Sequence, residues 1–303
     1  MVILERLLFR WTQPVGPIYR RELRYGARSS WAMWGWVGYA LPLSLLALLL
    51  VFGPLSVMAL LVISLPLLGW VWRMQMALAT SAAIVREVEG ATWDLLRALP
   101  WSTARIINSK YAGVLVRMRR LFGPYLLVRG FAGAGMLAFA GTTLWFDWAL
   151  LPPGTGPDLY WALLAMALGA AYMVVESALD LATDGALGMV ASAFTRRQGQ
   201  AAALALSLSA LGLVAQLLAT ALLIGGAARI TPGSGSPLQF QMGVGIDLLW
   251  WVALWGPGGA LLFDVSPAAC ALLIPALILA RFALLRALIA LAARRAEGDR
   301  AAS

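Results

Sequence analysis

Residues 31–80 read WAMWGWVGYALPLSLLALLLVFGPLSVMALLVISLPLLGWVWRMQMALAT. Two apolar runs, 31–52 and 55–80, meet at Gly53-Pro54, and Arg73 is the one charged side chain in the stretch. Roughly 20 mostly apolar residues, rising about 1.5 Å each, cross the hydrocarbon core of a bilayer. Each run is long enough, and the Gly-Pro pair makes the tight turn between them. The reading is of an all-α integral membrane protein.

Working outward, four more runs have the same character: 121–148, 159 to about 182, 201–224, and 268 to about 288. Gly/Pro-rich breaks at 152–157 and 231–237 separate the third run from the fourth and the fifth from the sixth. The expectation is therefore six transmembrane helices in a single transmembrane domain spanning 1–303. Composition agrees. Of the 303 residues, 61% are hydrophobic and 12% charged, where a soluble domain carries about 25% charged residues.

Charge orients the set. Arg20, Arg21, Arg24 and Arg28 precede the first run. Arg86, Arg97, Arg105, Lys110, Arg117, Arg119 and Arg120 lie between the second and third. Arg196 and Arg197 separate the fourth and fifth, and Arg294, Arg295 and Arg300 follow the sixth. The alternate connections hold only Arg229. Basic residues stay on the cytoplasmic side, so six spans put both termini in the cytoplasm, and an odd number would strand a basic cluster outside. The localisation implied is multi-pass, in the cytoplasmic membrane.

The connecting segments carry structure of their own. Residues 1–11 mix apolar side chains with Glu5, Arg6 and Arg10 and read as an amphipathic surface helix rather than a cleavable signal. In 17–29, Arg20, Arg24 and Arg28 fall on one helical face. That suits an N-terminal interfacial helix held by anionic headgroups, and equally a plain orienting cluster. The cytoplasmic region 85–120 reads as two helices broken at Pro100, with Val88, Thr92, Leu95, Leu96 and Leu99 recurring on the first and Ser102 capping the second. Segment 238–267 is apolar but cut by Asp247, Gly256, Pro257, Gly258, Gly259 and Asp264, which suits an outer re-entrant hairpin before the last helix. Residues 289–303 form a cytoplasmic tail.

Several chemistries are excluded. There is no histidine, and Cys270 is the single cysteine, so histidine-based zinc, haem and general-base sites are impossible, as is an internal disulfide. Lys110 is the only lysine, in IINSKY, without the glycines of a phosphate-binding loop. No ATP hydrolysis, cofactor or nucleic-acid binding is expected of this chain.

Charges inside apolar runs are costly and mark function often enough to be singled out. Glu176, Asp180 and Asp184 are spaced four apart on one face, and Arg73 and Arg129 lie inside the second and third runs. At about 1.5 Å per residue, Glu176 and Arg73 sit about 25 and 27 Å from their outer ends and Arg129 about 12 Å from an inner end. All fall in the inner leaflet, so the acids and arginines can pair. Arg73, Arg129, Glu176 and Asp180 are candidates for a polar lining of a translocation path. The alternative is a helix end reaching the cytoplasm with solvated acids and structural pairs.

Residues 85–115, VREVEGATWDLLRALPWSTARIINSKYAGVL, resemble the cytoplasmic motif of type-2 ABC exporter permeases. The positions that carry the likeness are Glu89, Gly90, Thr92, Trp93, Leu95, Leu96, Pro100, Ser102, Arg105 and Lys110. Ala91 interrupts the Gly-Thr pair, and Ser109 stands where a glycine is usual before the lysine. Gly16-Pro17-Ile18 with Arg21-Glu22-Leu23-Arg24 is similar to the family's basic N-terminal helix. The stretch 187–196, LGMVASAFTR, is similar to its Gly-x-x-x-Ser stretch.

The resemblance implies a six-helix subunit that pairs with a second permease subunit and docks on separate ABC ATPase subunits, which bind ATP and Mg. It implies that 89–100 is the coupling helix. Glu89, Gly90, Thr92, Trp93, Leu95, Leu96, Pro100 and Ser102 are then the docking positions, with Trp93 and Leu96 as outward-facing anchors in a groove of the ATPase. Against docking stands a reading in which that face packs on neighbouring helices or in headgroups. Two other functions compete: a proton-coupled secondary transporter, and an integral membrane enzyme acting on lipid through the Glu176/Asp180/Asp184 ladder.

Overall fold

The computed structural model describes residues 16–25, 54–148, 156–230 and 267–298. These residues are all-helical, without a strand among them. In chain order the helices are α1 (Gly16–Tyr25), α2 (Pro54–Glu89), α3 (Trp93–Arg97), α4 (Thr103–Trp148), α5 (Gly156–Phe194), α6 (Gln198–Ile230) and α7 (Pro267–Gly298). The first expected span at 31–52, the surface helix at 1–11, and the re-entrant segment as far as 266 lie outside the described residues.

Expected spans two to six each fall within one continuous helix that runs beyond the apolar run itself. Pro54 and Pro267 open α2 and α7, a position where the missing N–H costs nothing and the fixed φ suits the helix. α4, at 46 residues, is about 69 Å long, roughly twice a hydrocarbon core. The region 85–120 is helical on both sides of Pro100, as expected, with a further break at 90–92. α2 stays helical to Glu89 and α4 is helical from Thr103, leaving 90–102 as the true connection. The cause is packing: Ile84, Val85, Ile106, Ile107, Tyr111 and Val114 are all buried, so both helix ends have an apolar face to cover.

α5 is the central helix, packed against α2, α4, α6 and α7, while α1 lies against α4. Its approach to α2 is backbone-close. A Cβ on Gly188 would lie 2.1 Å from Thr80 Oγ1 and 2.2 Å from the Ala77 carbonyl oxygen. One turn on, Ser192 Oγ accepts the amide hydrogens of Ile84 and Val85, both at 3.0 Å. The Gly-x-x-x-Ser stretch is thus a small-residue helix crossing completed by a hydroxyl. Trp72, Met76, Tyr111, Met118, Met189 and Leu285 are among the fully buried side chains, and Trp72 meets Phe122 edge to face at 5.5 Å.

Two helices, over Gln198–Ala215 and Pro275–Gly298, are long and apolar enough to cross a membrane. Only 17% and 22% of these stretches are buried in the bundle, whereas the core helix of a soluble protein is mostly buried. Leu211, Val214 and Leu218 on α6, and Leu279, Phe282 and Leu284 on α7, all point outward. An apolar exterior of this kind suits lipid rather than water.

Candidate functional site

The connection 90–102 begins where α2 ends. The Thr92 amide donates to the Glu87 carbonyl at 2.9 Å and the Ala91 amide to the Val88 carbonyl at 3.1 Å, the paired bonds that close a helix C-terminus around one left-handed residue. That residue is Ala91, with φ 52°, not the neighbouring Gly90. α3 then makes a single short helix. Its Thr92 side chain does not cap it, because the hydroxyl donates to the Glu87 carboxylate instead. Ser102 caps α4 as expected, its Oγ accepting the Arg105 amide at 3.4 Å.

The orientation of α3 corrects one expectation. Trp93 and Leu96 are buried in the core cluster, so they are not outward anchors. Leu95 is 69% exposed and Leu99 37%. Asp94, Glu89, Gly90, Pro100 and Ser102 also face out, while Thr92 is half-buried. The physical reason is that both sides of this segment are apolar. Helical spacing marks two faces here, and the one bearing the indole took the core, because it covers more area. Glu89 is further engaged: its Oε1 accepts the Gln198 amide at 2.7 Å, tying the connection to the start of α6.

Behind the connection lies a buried charge cluster that joins α1, α2 and α4. Lys110 Nζ donates to Glu22 Oε1 at 2.9 Å, Glu87 Oε1 at 2.9 Å and the Ala83 carbonyl at 3.1 Å. All three of its N–H donors are used. Arg21 donates to both Glu87 oxygens, at 3.0 and 2.9 Å, and Arg86 to both Glu22 oxygens, at 3.3 and 3.1 Å. Glu22 faces inward because it lies one turn from the buried Ile18. Burial pushes the Glu87 carboxyl up, but the Thr92 hydroxyl, Lys110 and Arg21 outweigh it and bring it down to about 2. Lys110 was legible as part of the motif and Glu22 within the N-terminal likeness; their meeting with Glu87 was not, since nothing in spacing brings the three together.

A second polar cluster runs along α5. Arg73 of α2 donates to Asp184 and reaches Asp180 at 3.5 Å. Ser209 of α6 donates to Asp184 Oδ1 at 2.6 Å. Arg281 of α7 donates to Asp180 Oδ1 at 2.6 Å and lies 3.9 Å from Glu176. Arg129 donates to Tyr125 Oη at 3.0 Å and Ser177 Oγ at 2.7 Å. Of the ladder, Asp180 and Asp184 pair with Arg73 as expected, and Glu176 lies beside Arg281. Arg281 went unremarked in the sequence, although a charge within the sixth apolar run was the signal for it. Among the described residues no group of His, Cys, Asp or Glu is arranged to hold a metal ion.

No protein-family model matches the chain, and no curated protein sequence matches it either.

Proposed function

We propose that the chain is the membrane-spanning permease subunit of an ATP-driven ABC transporter, working as an exporter with a separate ATPase subunit. The observation that carries this reading is the exposed face of the connection 90–102. Leu95 and Leu99 stand outward on a short helix anchored from behind by Trp93 and Leu96, in the segment whose sequence resembles the coupling helix of type-2 exporter permeases. An exposed apolar pair on a rigid base suits a groove in a partner. In this reading ATP and Mg bind to that partner, in keeping with a sequence in which Lys110 lacks the glycines of a phosphate-binding loop.

In this reading the chain has six spans in the cytoplasmic membrane with both termini inside, and pairs with a second permease subunit. ATP binding closes the ATPases, which move the connection and switch the helices between inward and outward access. Arg73, Arg129, Glu176 and Asp180, joined by Asp184 and Arg281, are the polar side chains that line the route. The chain itself performs no covalent chemistry.

The test is co-purification in mild detergent with the ABC ATPase encoded beside it. Wild type recovers the ATPase and the Leu95→Asp/Leu99→Asp variant does not. A folded wild type that recovers none would overturn this reading in favour of the secondary transporter or the membrane enzyme.

A further inference from the structure

We infer that Glu87 joins α1 to the connection 90–102, so that the two move as one body, with Glu22 and Lys110 as positioning residues that hold the joint. The Glu87 side chain is shared between two otherwise separate elements. On one side Arg21 of α1 grips both of its oxygens. On the other the Thr92 hydroxyl bonds Oε2, and the Thr92 amide bonds the Glu87 carbonyl. Lys110 sits beneath, binding Glu87 and the Glu22 carboxylate of α1 at once.

Slack in this joint is small for two reasons. With Lys110, Glu22 and Glu87 side chains each 1% exposed, giving up a Lys110 bond strands a charge away from water, while Arg21, 40% exposed, closes the joint at its rim. The packing is also tight: a Cβ on Gly113 of α4 would lie 2.6 Å from the Glu22 Cβ. A close-packed joint of satisfied charges shifts as a unit rather than by bending. A displacement of the Leu95/Leu99 face therefore reaches Thr92, then Glu87, then Arg21 and α1. That an ATPase supplies the displacement rests on the function proposed above; the coupling between the two elements does not.

Amide hydrogen exchange of the full chain in detergent tests the joint without any partner. Arg21→Gln removes the bonds of the α1 arm to Glu87. Thr92→Val removes the hydroxyl bond of the other arm and leaves the backbone bond in place. The expected result is a crossed response: Arg21→Gln speeds exchange over 92–101, and Thr92→Val speeds it over 16–25, each by about tenfold, with α7 unchanged. Lys110→Met speeds both segments together. If each arm variant affects only its own segment, or neither is felt across the joint, the two elements are independent and the inference is overturned. The single-arm variants keep the test decisive if Lys110→Met fails to fold.

Discussion

Lys110 Nζ lies 2.9 Å from Glu22 Oε1, between two side chains that are each 1% exposed and 88 positions apart in the chain. This contact fastens α1 to the first turns of α4, about two turns past the exposed connection. A buried pair adds little net stability over an apolar isostere, yet losing one partner is expensive.

Lys110→Met is expected to destabilise the protein by about 3–5 kcal/mol, since it leaves Glu22 and Glu87 buried without their shared cation. Glu22→Gln keeps the shape and removes one charge, so it should cost less than Lys110→Met. Thermal unfolding in detergent, followed by circular dichroism, measures both. A loss below about 1 kcal/mol for Lys110→Met, the range of an exposed pair, would mean that the cluster is open to water.

Acid should loosen the same joint. The Glu87 carboxyl, ordinarily near 4.5, is held at about 2 in the folded chain. A folded value below the unfolded one means that its contribution is complete above about pH 4.5 and is lost as pH falls toward 2. Glu87→Gln should be less stable than wild type at neutral pH, with the gap closing through that window. A gap independent of pH would contradict the assignment.

Ala91→Gly should stabilise the protein by about 1 kcal/mol, because Ala91 occupies the left-handed region at φ 52° and glycine removes the Cβ clash there. Gly188→Ala should do the opposite, costing about 1–3 kcal/mol or more, since its Cβ meets the backbone of α2. The pair of melting temperatures, one up and one down, checks the two close-packed turns independently.

On the permease reading proposed above, neutralising the α5 ladder should impair transport. Glu176→Gln with Asp180→Asn removes the partners of Arg281 and one partner of Arg73. Export by cells carrying this variant should fall at least tenfold while the protein remains in the membrane. Unchanged export would reduce the ladder to a structural seam between α5, α2 and α7.

What the sequence disclosed follows the range of each interaction. The helices were legible because apolar runs are local, and so were the Ser102 cap and the helical spacing of Glu176, Asp180 and Asp184. The crossing at Gly188 and Ser192 could be seen as small residues four apart, though not its partner. The inward turn of Trp93 and Leu96 was legible only as the alternative to docking, because the segment is apolar on both sides and only tertiary packing chooses between them. The convergence of Glu22 and Glu87 was missed for a different reason. Their meeting at Lys110 depends on three helices converging, and no periodicity records that.

The most direct test of the permease reading is a binding titration of the purified ATPase against the chain in nanodiscs. Wild type should bind, the Leu95→Asp/Leu99→Asp variant should bind at least tenfold more weakly, and Arg20→Ala, on the exposed side of α1, should bind as wild type does. No binding to the wild type, or equal affinity for it and the Leu95/Leu99 variant, would contradict the account.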